Sequence, residues 1–333
     1  MFQIQWLDGC LILRQNPNED ALDLSIGTSY ALHGLLSHKQ ILAHIDEVHS
    51  NELSCIEFGM QRCSLNWTKR RPGAPYPSEE FSGKIASRLE ELGISASIHA
   101  PYSIVVTSNE PGKTQFAKAT MTATARVACL IGATHITFHC GSRGMGRMGL
   151  ERAKIVLIEM LEARNQRNQK IEYSPEVAGK LNSLGSFHEI LELAEYCGTL
   201  FTWDIAHDFA RGASVTSFKE LLSRLDQIES RLDFSSKRRF PIHISGIVGG
   251  KRGEKYHVPL GEGDGVPWEL FLTVLKQTGF LNKCSIICES QKRDTLSKWS
   301  RITDAKKIRG FCLSNTAVTK WIPKKPALSS YLK

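Results

Sequence analysis

No stretch of this 333-residue chain approaches the run of roughly 20 apolar residues that a membrane-spanning helix needs. The opening residues, MFQIQWLDGCLILRQNPNED, are neither basic at their start nor continuously apolar, which speaks against a secretory leader. The nine cysteines are odd in number, scattered, and form no C-x-x-C pair, so a disulfide framework is not expected. Reduced, buried thiols in a cytoplasmic protein are the better reading. Acidic residues are in the minority, 34 against 42 Lys and Arg, and the resulting net charge of +8 favours acidic partners such as nucleic acid through phosphate neutralisation. Also missing is a glycine-rich phosphate loop after the first apolar, β-rich run, which counts against a doubly wound nucleotide-binding sheet.

What is present is alternation. Apolar, β-rich runs occur at 22–29, 55–60, 96–102, 135–142, 170–176, 200–207, 241–248 and 285–290, separated by helix-patterned stretches at 37–48, 79–92, 113–131, 150–165, 186–197, 217–228 and 268–279. Eight strands with seven helices between them predict an α/β fold of the (β/α)8 TIM-barrel type. The expected division is an N-terminal extension at 1–20, a metal-dependent barrel at 21–291 and a basic C-terminal extension at 292–333. In that last stretch Trp299, Phe311, Trp321 and Tyr331 interleave with eleven Lys and Arg residues. The mixture suits either a nucleic-acid surface or a solvated extension that packs its rings on the barrel wall.

At or just beyond the end of six of these runs stands a histidine or a carboxylate: His99, His139, Glu176, Asp204 with His207, His243, and Glu289. Parallel α/β folds build their sites at the carboxyl ends of strands, so the recurrence describes one multi-ligand metal centre. Zinc and related divalent ions take imidazole nitrogen and carboxylate oxygen, and a cluster of two or three ions needs a carboxylate able to bridge. In ISASIHAPY, Pro101 stops the strand and leaves His99 at the barrel mouth. In TWDIAHDFARG, the three-residue spacing lets a strand-to-helix turn direct both Asp204 and His207 there. His257 stands shortly before the glycine-rich LGEGDG loop.

The phrases HAPY, TFHCGS, PEVAGK, WDIAHDFARG, HISG, YHVPLGEGDG and ICES, in this order over about residues 22–291, resemble the endonuclease IV family of apurinic/apyrimidinic endonucleases, within the xylose-isomerase-like barrel superfamily. The resemblance implies a deoxyribonuclease IV-type phosphodiesterase of base excision repair with a zinc cluster of two or three ions, or manganese in place of zinc. His99 and His139 would hold a first ion and Glu176 would bridge to a second, completed by Asp204, His243 and Glu289. The third ion would fall to His207 and to an Asp-x-His pair before LGEG. Here that pair reads Lys255-Tyr256-His257, so a lysine stands where the aspartate belongs. Either Glu254 takes its place, or Lys255 points away, or the third ion is weak or absent, or Lys255 supplies positive charge near the leaving oxygen. A two-ion centre with a variable third position is the expectation.

Adjacent divalent ions would activate water, neutralise the phosphate and stabilise the departing oxygen, with Glu176 and Glu289 as the catalytic carboxylates. The resemblance places the cut 5′ to an abasic site in double-stranded DNA. It also matches Tyr102 and Arg62 to residues that fill the space left by the extruded sugar. Arg143, like Arg147 and the loop Lys69-Arg70-Arg71, is a candidate phosphate contact. The expected protein is a monomeric, nucleoid-associated cytoplasmic enzyme without a membrane partner. The rival reading is a sugar isomerase or epimerase of the same superfamily, which would use Glu176, Asp204, His243 and Glu289 around a single ion.

Overall fold

The computed structural model describes residues 3–7, 10–14, 24–31, 37–60, 77–143, 146–213, 215–233, 239–291, 301–316 and 318. Its centre is an eight-stranded sheet with the order β7-β6-β5-β4-β3-β12-β9-β8. These strands are β3 (Ser25–Ala31), β4 (Cys55–Gly59), β5 (Ser95–His99), β6 (His135–Phe138), β7 (Glu172–Pro175), β8 (Trp203–Asp204), β9 (Phe240–Ile244) and β12 (Cys284–Cys288). All neighbours run parallel. The two ends of the sheet meet where Glu176 bridges Thr202 and where Thr202 N–H donates to the Pro175 carbonyl at 3.0 Å, which closes the barrel. The (β/α)8 barrel expected from the alternation is therefore the fold.

The wall is made by α1 (His38–Ser50), α2 (Glu79–Glu91), α3 (Pro111–Ile131), α4 (Arg147–Gln166), α5 (Phe187–Cys197), α7 (Phe218–Arg231), α8 (Trp268–Gln277) and α9 (Arg301–Leu313), with the short α6 (Ile205–Ala210) inserted after β8. Their starts are written in the sequence. Ser37, Ser186 and Ser217 each accept from the third backbone N–H of their helix, while Gln40, Glu189 and Glu220 return the bond in capping boxes. Inward faces carry Ile41, Ile45, Val48, Phe81, Ile85, Leu89, Leu221 and Leu225, all buried against the strands. Among the described residues, no helix is long and apolar enough to cross a membrane, and every described cysteine with a placed side chain is a free thiol.

The structure adds detail to the expected organisation in three places. Within the stretch 1–20, β1 (Gln3–Leu7) and β2 (Cys10–Arg14) pair antiparallel as a separate two-stranded sheet. In the stretch expected to be a basic extension, α9 is the eighth barrel helix. Its Ile302, Ala305, Ile308 and Cys312 are buried, and its cations tie it down, Arg301 to the Ser29 carbonyl and Arg309 to Glu52. Phe311 packs edge-on against Trp268, so the barrel-wall reading holds for the described part of this segment. Residues 292–300 and 319–333 lie outside the described residues. Finally, the run expected at 241–248 is two strands. β9 ends at Ile244, and β10 (Gly246–Gly250) turns away to form an antiparallel hairpin with β11 (Gly253–Val258) above the barrel mouth.

Candidate metal centre

The interior of a (β/α)8 barrel is ordinarily filled by layers of Val, Ile and Leu. Here its upper half is polar. Thr28, Glu57, Ser97, Thr137, Ser174, Glu176, Thr202, Asp204 and His243 are all buried. Period-two alternation sends His135 and Thr137 of β6 to the same side, and His139, one residue beyond the strand, continues it at the mouth.

Three overlapping groups form there: His99 with His139 and Glu176; Glu176 with Asp204, His243 and Glu289; Asp204 with His207 and His257. In each, one ligand atom per residue lies within 4.8 Å of all the others. Glu176 belongs to two groups and Asp204 to two, so the three are one continuous cluster. Glu176 Oε2 is 3.0 Å from His99 Nε2 and 3.2 Å from His139 Nε2, while its Oε1 is 2.9 Å from His243 Nδ1. All eight residues expected as ligands are thus brought together at the barrel mouth.

Most of the rings are held from behind. His99 Nδ1 is 3.0 Å from the Ala100 carbonyl and His207 Nδ1 is 2.9 Å from the Val177 carbonyl, so in each case Nδ1 is the donor and Nε2 faces the cluster. Ser245 Oγ holds His257 Nδ1 at 2.6 Å. His207 Nε2 and His257 Nε2 then face one another at 3.0 Å. Two imidazoles so arranged need a proton or a cation between them. Asp204 caps α6 through Oδ1, which accepts from the His207 N–H at 2.7 Å, and leaves a buried Oδ2 without a hydrogen-bond partner.

The electrostatics point the same way. Burial lowers a histidine pKa, yet the Glu176 carboxylate lifts His99 to about 9 and Asp204 lifts His207 to about 9. His243, facing Glu57, Glu289 and Glu176, is raised well above the ordinary value. Burial pushes Asp204 up to about 7 despite the neighbouring His207, and raises Glu289. Burial would also raise Glu176, but His139 and His243 hold it well below the carboxylate range. His139 itself, pressed by burial, falls to about 3. Crowded carboxylates thus keep protons on three surrounding imidazoles, and a divalent cation would supply that positive charge in their place. The nitrogen and oxygen donor set fits such an ion.

The third group departs from the expected register for a visible reason. Val248 pairs with Tyr256 and Gly249 with Glu254, so Lys255 is the extra residue of a β-bulge. In a regular strand residues 255 and 257 would share a face; the bulge instead gives Glu254 the face of His257. Glu254 Oε2 lies 3.4 Å from His207 Nε2 and Oε1 lies 3.8 Å from His257 Nε2. Lys255 is exposed, its stem over Gly250. Glu254 can approach because residue 179 is glycine: a Cβ there would sit 2.5 Å from the Glu254 Cβ and 2.8 Å from His207 Cδ2.

Tyr102 stands at the rim, 71% exposed, with its ring stacked on His139 at 5.0 Å between centroids. Arg143 is engaged by Glu189 at 3.0 Å, and Arg147 by Glu151 and Glu192 on the barrel wall. Arg62 and the loop at 69–71 lie outside the described residues. A cavity of about 660 Å³ between Lys180, Asn182 and the hairpin tip is lined by Lys251, Arg252, Glu254 and Lys255 and opens beside the third group. Sequence reasoning missed Ser245, Gly179 and Glu57. The signal for Glu57 was a lone carboxylate inside an otherwise apolar run, CIEFGM.

Comparison with known proteins agrees with the architecture. An uncharacterized protein of Methanocaldococcus jannaschii is 29% identical over 224 residues, covering 65% of this chain and 78% of its own. Endonuclease IV from Thermus thermophilus superposes with a TM-score of 0.64 at 20% identity, over 86% of this chain and 97% of that one. D-allulose 3-epimerase from a Methylomonas species does so with 0.61 at 17% identity, over 86% and 96%. At such identities the two superpositions bear on the fold alone. Residues 45–310 match the family described as xylose isomerase-like TIM barrel, most of the chain, and the protein belongs to that family.

Proposed function

We propose that the protein is a metal-dependent phosphodiesterase that cleaves DNA 5′ to an abasic site, with zinc as the resident metal. The observation that carries this reading is the extent of the cluster. Glu176, Asp204, His243 and Glu289 suffice for one ion, as a sugar epimerase would require. His99 and His139 on one side, and His207, His257 and Glu254 on the other, extend the ligand set to either side of that quartet. When bound, adjacent divalent ions supply an activated water and charge neutralisation for in-line displacement at phosphorus. In this chain, Glu176 spans two positions, Glu289 stands over the same space, and Tyr102 offers an exposed ring at the rim against which a displaced nucleotide can rest. The cations Lys180, Lys251, Arg252 and Lys255 beside the third group fit a polyanion that continues past the reacting phosphate.

The test is a duplex bearing a single tetrahydrofuran abasic analogue, incubated with zinc-loaded protein whose metal content is measured in the same sample. Nicking 5′ to the analogue, with two or three zinc ions per chain, is expected. Zinc-loaded protein that leaves the duplex intact, or that epimerises a ketohexose at C3 with one ion bound, overturns the proposal.

A further inference from the structure

Three of the five histidines in the cluster have one ring nitrogen held by a group outside the ligand set. For His99 and His207 the partner is a backbone carbonyl, and for His257 it is a serine hydroxyl. His243 differs in both respects: its Nδ1 faces the cluster, 2.9 Å from Glu176 and 3.7 Å from Glu289, and its Nε2 faces a carboxylate, Glu57 Oε1, at 3.3 Å. Neither Nε2 nor Oε1 makes a hydrogen bond among the described residues, so their approach at 3.3 Å is an ion-pair contact.

Glu57 lies wholly inside the barrel. Its other oxygen, Oε2, accepts from Ser97 Oγ at 3.1 Å and from Thr137 Oγ1 at 3.2 Å, so hydroxyls from two neighbouring strands fix the carboxylate. Thr202 stands 3.4 Å from Thr137 and 2.6 Å from Ser174, which extends the hydroxyl network across the barrel. Burial of a carboxylate is costly unless it is paired, and an apolar residue would fill a barrel interior more cheaply.

We propose that Glu57 is a positioning residue, the carboxylate that accepts the Nε2 proton of His243, locks the ring with Nδ1 toward the cation position, and strengthens Nδ1 as a donor. The inference rests on the reading of the cluster as a metal centre, and assigns the role to a residue outside the ligand set. Metal-ligating histidines are commonly backed in this way, and loss of the backing group weakens metal binding by roughly 10- to 100-fold.

The experiment compares Glu57→Leu and Glu57→Gln with the natural protein by zinc affinity in chelator competition, and by the downfield, slowly exchanging His243 Nε2–H resonance in metal-free and zinc-loaded samples. The Leu variant is expected to lose that resonance and to bind zinc about 10- to 100-fold more weakly. The Gln variant, which keeps an acceptor but not the charge, is expected to retain the resonance and lose less affinity, and it serves alone if the Leu variant does not fold. A Gln variant with the affinity of the natural protein, a Leu variant unchanged in affinity, or a natural protein without a hydrogen-bonded Nε2–H overturns the proposal. Natural protein that binds no zinc but shows the resonance overturns the metal reading instead. Nicking activity enters neither measurement.

Discussion

The cluster has two halves that are built differently. His99, His139, Glu176, Asp204, His243 and Glu289 sit on or one residue beyond barrel strands, where parallel strand pairing sets both height and direction. His257 and Glu254 sit on a two-stranded hairpin whose register shifts at a bulge. Backbone pairing dictates the first half; in the second, one inserted residue decides which side chain faces the centre. Strand-borne side chains therefore tolerate no slippage, whereas on the hairpin the bulge gives a glutamate three residues before the histidine the face that the residue two before it would take in a regular strand.

Glu176 tests the strand-borne half most severely. Glu176→Gln removes the carboxylate common to two groups, and nicking of an abasic duplex is expected to fall below detection while the circular dichroism spectrum stays that of the folded barrel. Retained activity would mean that the proposed bridging role is misplaced.

Proton linkage probes both halves at once. His99 and His207, raised to about 9, bind protons in the metal-free folded state that they lack when unfolded above about pH 6.5. Their contribution to stability is complete below pH 6.5 and is lost as the pH rises through 9. Metal-free protein is therefore expected to lose melting temperature over that interval. Zinc-loaded protein is expected to diverge from it, because each proton leaves as the ion binds. Thermal melts at matched ionic strength, with and without chelator, check the sign; parallel curves would contradict it.

The hairpin half is sharpened by a pair of variants. Glu254→Gln is expected to weaken the third ion by roughly 10-fold or more, at the low end of what ligand-shell changes cost. Lys255→Ala is expected to leave the metal count unchanged, and Lys255→Asp likewise, because the bulge turns that side chain outward. Elemental analysis after dialysis distinguishes these outcomes, and a gain of one ion in Lys255→Asp would show that the bulge can relax. Smallest in effect is Gly179→Ala, whose methyl must displace Glu254 or His207. A loss of about 1–3 kcal/mol, the usual range for an overpacked site, is expected in chemical denaturation.

These contrasts also explain what was readable in the chain. Strand-end ligands, serine-capped helices and the barrel alternation are local patterns with fixed periods, and they are found within a few residues of where they were expected. The bulge at Lys255 was not readable, since a sequence gives residue spacing but not which residue a strand leaves unpaired. Nor was the hairpin, because HISGIVGG reads as one apolar run until Ser245 is seen to hold His257. α9 was hidden by its charge: Arg301, Lys306 and Arg309 look like a solvated tail until their partners Ser29, Asn51 and Glu52 are brought alongside. Glu57 was passed over because a single acid in a hydrophobic strand carries no period at all.

The closure of the barrel has a mechanical consequence. Between β7 and β8 the wall is joined by a single bridge at Glu176 and Thr202 and a few backbone hydrogen bonds, and β8 itself is two residues long. Glu176 and Asp204 stand at the upper edge of that weak join, one on each side. An ion held by both carboxylates, as the proposed metal centre would have it, would fasten the thinnest part of the wall, like a clasp on a cylinder slit along its length. Chelation would then unfasten the barrel at one line, and amide exchange at Val177 and Thr202 is where the opening would first be felt.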